Sequence, residues 1–103
     1  MFNEAQKQVD DWVKQFKIEY FPLEQQHVIL TEEVGELARE ISHKLGTKKK
    51  KVGEKENSIE DELADILFVI VCMANGEKID LEEAFRKTME KKYGRDNDRF
   101  EKK

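Results

Sequence analysis

The sequence predicts an all-α fold, an antiparallel bundle of about four helices completed by homo-oligomerisation. Apolar residues recur at three- and four-residue spacing in four segments, and strong β alternation is absent. Residues that start and stop helices punctuate those segments. Size argues for the association. At 103 residues, read as one domain over 1–103, the chain buries a modest share of its surface, and a single pair of helical layers is marginal alone.

The first segment runs from about Asn3 to Phe16 or Ile18. Asn3 suits the cap and Gln6 the capping-box position, while Ala5, Val9, Trp12, Val13 and Phe16 form one stripe. Pro22 breaks the chain and is tolerated in the first turn of a second helix, Leu23 to Leu45, whose apolar side includes Ile29, Val34, Leu37 and Ile41. Gly46 is the expected stop. Gly35 costs about 1 kcal/mol relative to alanine inside a helix, which close approach of another helix would explain.

Periodicity vanishes over about 46–57, where TKKKKVGEKEN reads as a basic, solvent-exposed loop. Asn57 or Ser58 caps a third helix, Ile59 to Asn75, whose apolar residues cover nearly half its circumference and predict a central position. Asn75-Gly76 ends it. Asp80 with Glu83 makes a capping box for a fourth helix, Leu81 to about Tyr93, stopped by Gly94. Leu81, Ala84, Phe85, Thr88 and Met89 face inward, and Phe100 is the one anchor in a polar tail.

Composition narrows the function. With 38% hydrophobic and 41% charged residues, the chain suits long exposed helix faces rather than disorder. A net charge of -4 gives no general attraction to nucleic acid, although acids still bind a polyphosphate through a divalent ion. Cys72 is the only cysteine and lies in an apolar run, so it reads as a buried hydrophobe in a reducing compartment. The longest apolar stretch, Ile66 to Ala74, is too short to span a membrane, and no secretory signal is visible. A cytoplasmic protein is expected.

The carboxylates carry the chemistry. Glu33 and Glu36 lie about 60° apart on the helical wheel and border the apolar stripe beside Ile29 and Leu37. Glu62 and Asp65 repeat the spacing on the third helix, beside Ile66, Val69 and Met73. Four carboxylates brought together repel one another and lose hydration, which a magnesium ion relieves. Exposed edge acids, or ion pairs across subunits, are the competing readings. Glu32 and Glu40 are further candidates near the ion or are simply solvated, and Asp61 and Asp80 serve helix starts. His27 and His43 lack partners at zinc-ligand spacing.

Lys48 to Lys51 are candidates to cover a phosphate, with a solvated loop as the plainer reading. Lys91, Lys92 and Arg95 suit the end of the last helix and are also candidates to neutralise a triphosphate. Trp12, Phe16 and Phe21 are candidates for a base-stacking wall, against core packing for each.

Glu33-Val-Gly-Glu36 in LTEEVGELAREI and Glu62-Leu-Ala-Asp65 in IEDELADILFVIVCMAN resemble the ExxE and ExxD of the MazG-like nucleotide pyrophosphohydrolase superfamily, in its short single-domain branch. The similarity runs from QVDDWVKQF to KKYGRDNDRF. It implies all-α homodimers or tetramers and magnesium, with manganese as a substitute, held by Glu33, Glu36, Glu62 and Asp65, while charge and apolar length already argue for no nucleic-acid and no membrane partner. The implied reaction turns a nucleoside triphosphate and water into the monophosphate and pyrophosphate, with Glu36, Glu33 or an ion activating the water. It extends phosphate contact to Lys91, Lys92 and Arg95, although an asparagine common in relatives has no obvious match before Tyr93. A noncatalytic nucleotide-binding or partner-binding bundle is the alternative.

Overall fold

The computed structural model describes residues 1–46, 49–53 and 58–103, and among them every regular element is a helix. The order is α1 (Phe2–Val13), α2 (Leu23–Lys44), α3 (Ile59–Gly76) and α4 (Leu81–Tyr93). The apolar circumference of α3 makes it central, as expected. It packs on α2 and on α1, and α4 packs on α1; Leu81, Ala84 and Phe85 of α4 line a cavity together with Leu67, Ile70 and Val71 of α3. The buried apolar residues are Val13 of α1 and Val69, Val71, Cys72 and Ala74 of α3.

Three juxtapositions fix the register of α2 on α3. Gln26 shares a cavity with Cys72, Glu33 meets Asp65, and Glu40 shares a recess with Ser58. Each forward step on α2 is matched by a backward step on α3, so the pair is antiparallel.

Helix α1 departs from expectation at both ends. Its cap comes from α4: Glu82 Oε1 accepts the N–H groups of Phe2 at 3.0 Å and Asn3 at 3.4 Å. Asn3 is therefore not the cap, and Gln6 does not close a box with it. Gln6 instead donates to Asn75 Oδ1 and the Ile79 carbonyl, both at 2.8 Å, and accepts the Leu81 N–H at 3.0 Å. At the other end α1 stops at Val13, short of Phe16. The chain turns there so that the Tyr20 hydroxyl returns to donate to Asp10 Oδ1 at 2.7 Å and accept from Asn75 Nδ2 at 3.0 Å.

This clasp makes a pH-dependent contribution. Burial, and then the hydrogen bond to Asp10, push the Tyr20 phenol up to about 12, against the opposing bond from Asn75. The fold thus prefers the neutral phenol. Its contribution is intact below the ordinary phenol range near ~10 and is lost as pH rises toward about 12. Chemical denaturation across that window should show stability falling, with a shallower fall in Tyr20→Phe. Equal slopes would exclude Tyr20 as the source.

The third helix starts with a full capping box, Ser58 Oγ accepting the Asp61 N–H and Asp61 Oδ2 accepting the Ser58 N–H, both at 3.1 Å. Asn57 lies outside the described residues. The helix ends at Gly76, where an added Cβ would meet Tyr20 Cβ at 3.4 Å, and Lys78 takes the left-handed φ of 57° that turns the chain. Asp80 caps α4 by accepting the Glu83 N–H at 3.3 Å, but Glu83 turns its carboxylate to Arg86, leaving half of the expected box. Gly46 ends α2 in the left-handed region, at a φ of 74°.

Two expectations fail within the chain. Gly35 has nothing within 4 Å of an added Cβ, so no close helix explains it, and Phe100 is 81% exposed and anchors nothing. Val34 and Ile41 of α2, Leu63 and Leu67 of α3, and Phe85 and Met89 of α4 stay exposed although periodicity assigns most of them inward. The radius of gyration is 17.2 Å, against about 13 Å for a compact 100-residue domain. One chain is an open helical slab.

Candidate metal centre and the adjoining cavity

The antiparallel register carries the acidic edge of α2 onto that of α3. One carboxylate oxygen from each of Glu33, Glu62 and Asp65 lies within 4.8 Å of the others. Glu62 is 1% exposed, Glu33 is half-buried and Asp65 is open to solvent. Three of the four acids singled out by spacing thus converge. Glu36 falls outside this tightest set, half-buried one helical turn along α2.

The cluster is electrostatically uncomfortable without a cation. Burial first, then the charges of Glu36, Asp65, Glu62 and Glu32, hold the Glu33 carboxyl above its usual range. Glu33 Oε2 is buried with no hydrogen-bond partner among the described residues. An unpaired buried oxygen beside two more carboxylates fits a hard divalent ion such as magnesium or manganese, whose ligands are oxygens.

On the same seam, toward the start of α2, lies a cavity of about 120 Å³. Trp12, Phe21, Gln26, Ile29 and Phe68 contribute to its walls. Trp12 is 53% exposed and meets Phe68 edge-on, with ring centres 5.8 Å apart, and also Phe16. Trp12, Phe16 and Phe21 are therefore exposed and not core, reversing the plainer expectation for each. The burial of α1 ends at Val13, which leaves these rings on the outer side of the turn.

Gln26 escaped the sequence reading. It is 5% exposed and lines the cavity. Its signal was its place seven residues before Glu33, on the same helical stripe as Ile29.

The remaining candidates separate. Glu40 is buried and engages Lys50 at 3.3 Å, with His43 Nδ1 3.7 Å away, whereas Glu32 is exposed. Lys50 is thereby held against α2 at 23% exposure, and the basic loop is not wholly solvent-facing; Lys48 lies outside the described residues. Lys92 and Arg95 pair with Asp96, and Lys91 is exposed. None of these three forms an ion pair with the acidic cluster among the described residues. Cys72 is buried, which pushes its thiol up, in keeping with a hydrophobe's role. No described helix is long and apolar enough to cross a membrane.

Residues 22–100 match the family model described as the MazG nucleotide pyrophosphohydrolase domain. The uncharacterised Bacillus subtilis protein YpjD is 47% identical over 100 residues, covering 97% of this chain and 90% of that protein. A crystal structure of Bacillus subtilis YpjD, described as a candidate pyrophosphatase, superposes with a TM-score of 0.77 at 46% identity, covering 88% of this chain and 93% of that one. A Bacillus-conserved MazG protein, described as a nucleotide pyrophosphohydrolase, gives 0.75 at 46% identity, covering 88% and 87%.

Proposed function

Because the chain belongs to the MazG nucleotide pyrophosphohydrolase family, we propose that it hydrolyses nucleoside triphosphates between the α and β phosphates. The products are the nucleoside monophosphate and pyrophosphate, and the reaction depends on magnesium, with manganese able to substitute. The observation that carries this reading is the meeting of Glu33, Glu62 and Asp65 within 4.8 Å, with a buried oxygen of Glu33 left unpaired.

Glu33, Glu62 and Asp65 would hold the metal, with Glu36 beside them. When bound, such an ion neutralises phosphate charge and eases deprotonation of water. Glu62, buried between the helices, fixes the inner wall of the site, while Asp65 faces the side from which phosphate enters. Glu36, outside the tightest set and half-buried, is the carboxylate assigned to accept the proton of the attacking water, with Glu33 as the substitute.

Trp12 stacks on the base, and Lys91, Lys92 and Arg95 balance the triphosphate charge. Of the three, Lys91 has no ion pair to give up among the described residues, whereas Lys92 and Arg95 must leave Asp96. A second copy, in a dimer or tetramer, covers the exposed apolar residues of α2, α3 and α4.

A panel of nucleoside triphosphates with product identification tests the reaction. Equal amounts of monophosphate and pyrophosphate are expected with magnesium, and none after chelation. Orthophosphate with a diphosphate product would place the cut at a different bond. Metal-dependent nucleotide binding without turnover would favour a noncatalytic bundle.

A further inference from the structure

We propose that the cavity beside Trp12 is a nucleobase slot for a single ring, with the Gln26 amide reading the base, so that this protein prefers pyrimidine nucleotides. The inference rests on the nucleotide reading above and adds the class of base.

Position comes first. Gln26 and Glu33 are seven residues apart on one face of α2, about 10 Å along the helix, and Ile29 is about 6 Å from Glu33 by the same rise. Cavity and carboxylates therefore share one seam, separated by the room a pentose needs between its base and its phosphates. A nucleotide whose phosphates meet the acids extends its base toward Trp12 and Phe68.

Size is the second argument. The cavity holds about 120 Å³. A protein cavity of roughly 150 Å³ accepts benzene, so this volume suits one six-membered ring and crowds a fused purine. Its walls offer aromatic faces and edges from Trp12, Phe21 and Phe68, which receive a flat ring without regard to its sequence of ring atoms.

Holding the seated ring then falls to the polar groups. The Tyr20 hydroxyl is committed to Asp10 and Asn75. Gln26 is 95% buried by its 5% exposure, lines the cavity, and makes no side-chain hydrogen bond with a described residue. Gln6, by contrast, uses both ends of its amide. The Gln26 amide atoms open on the cavity, where water now meets them, and a donor and acceptor side by side on a bound ring can take the place of that water. Cytosine presents N4–H beside N3, and uracil or thymine presents N3–H beside O4. The carboxamide can turn to complement either.

Trp12 is the only tryptophan in the chain, so its fluorescence reports occupancy of the slot directly. The probes are CMP and UMP against AMP and GMP, with magnesium present and no hydrolysis required. Pyrimidine monophosphates should saturate the emission change at concentrations at least about tenfold lower than purines, and Gln26→Leu should raise the concentrations that CMP and UMP require by about tenfold. In turnover, Gln26→Leu should raise KM for pyrimidine triphosphates with a smaller change in kcat. Equal binding of the four bases by the unmodified protein, or a purine preference, overturns the slot. Undiminished affinity for CMP and UMP in Gln26→Leu overturns the role of Gln26. Failure of the hydrolytic reading has a different signature: base-selective quenching of Trp12 would persist without pyrophosphate release.

Discussion

Glu33→Gln should lower magnesium-dependent pyrophosphate release by roughly a hundredfold or more while raising the thermal stability of the metal-free protein. The two effects have one origin. The Glu33 carboxyl sits above its usual range because burial and the neighbouring acids disfavour its charge. A carboxyl raised in this way contributes stability at acid pH and loses it as pH climbs through its folded value, because its ionised form is disfavoured by the fold. Glutamine keeps the shape and removes that charge. It also removes an anionic oxygen available to a divalent ion, so the stabilisation that magnesium confers on the parent protein should shrink in the variant. Turnover close to the parent's would remove Glu33 from the site. A fall in both activity and metal-free stability would mark it as a structural residue.

Gln6→Ala is expected to be the most damaging substitution away from the acids. One amide joins three elements, contacting Asn75 on α3, the Ile79 carbonyl in the connecting turn and the first N–H of α4. Truncation leaves these groups without their partner, at a cost of about 2–3 kcal/mol, which corresponds to a drop in Tm of roughly 10–20 °C for a domain of this size. The acidic triad lies on α2 and α3, away from this junction, so residual activity at low temperature should survive. A Tm within two degrees or so of the parent would show that water replaces the amide without loss.

These two residues differ in how visible they are in the sequence. Local signals served well wherever a helix boundary depends on neighbours in the chain. Pro22 precedes α2, Gly46 follows it in the left-handed region, Ser58 and Asp61 close a box, and Asp80 caps α4. Glu82 was invisible as a cap because it serves a helix start 80 residues away. The true role of Gln6 was hidden for the same reason, and its capping-box position near Asn3 offered a misleading local alternative.

The candidate site was legible to a similar depth. Two acidic pairs bordering apolar stripes identify edges that can pack together, and the register of α2 on α3 brings oxygens of three of the four within 4.8 Å of one another. Which acid stands apart depends on how the helices cross, a quantity that periodicity does not contain. Gln26 has no motif in the sequence that singles it out. Only the cavity formed with α1 and α3 distinguishes it.

The opposed course of α2 and α3 has a mechanical consequence. The interval between the aromatic cavity and the acids is set by hydrogen-bonded backbone within each helix, and the connection between the helices takes no part in it. A change in the length of that connection leaves the calliper at its setting. A single residue inserted between Gln26 and Glu33 would instead swing one jaw by about 100° around the helix axis.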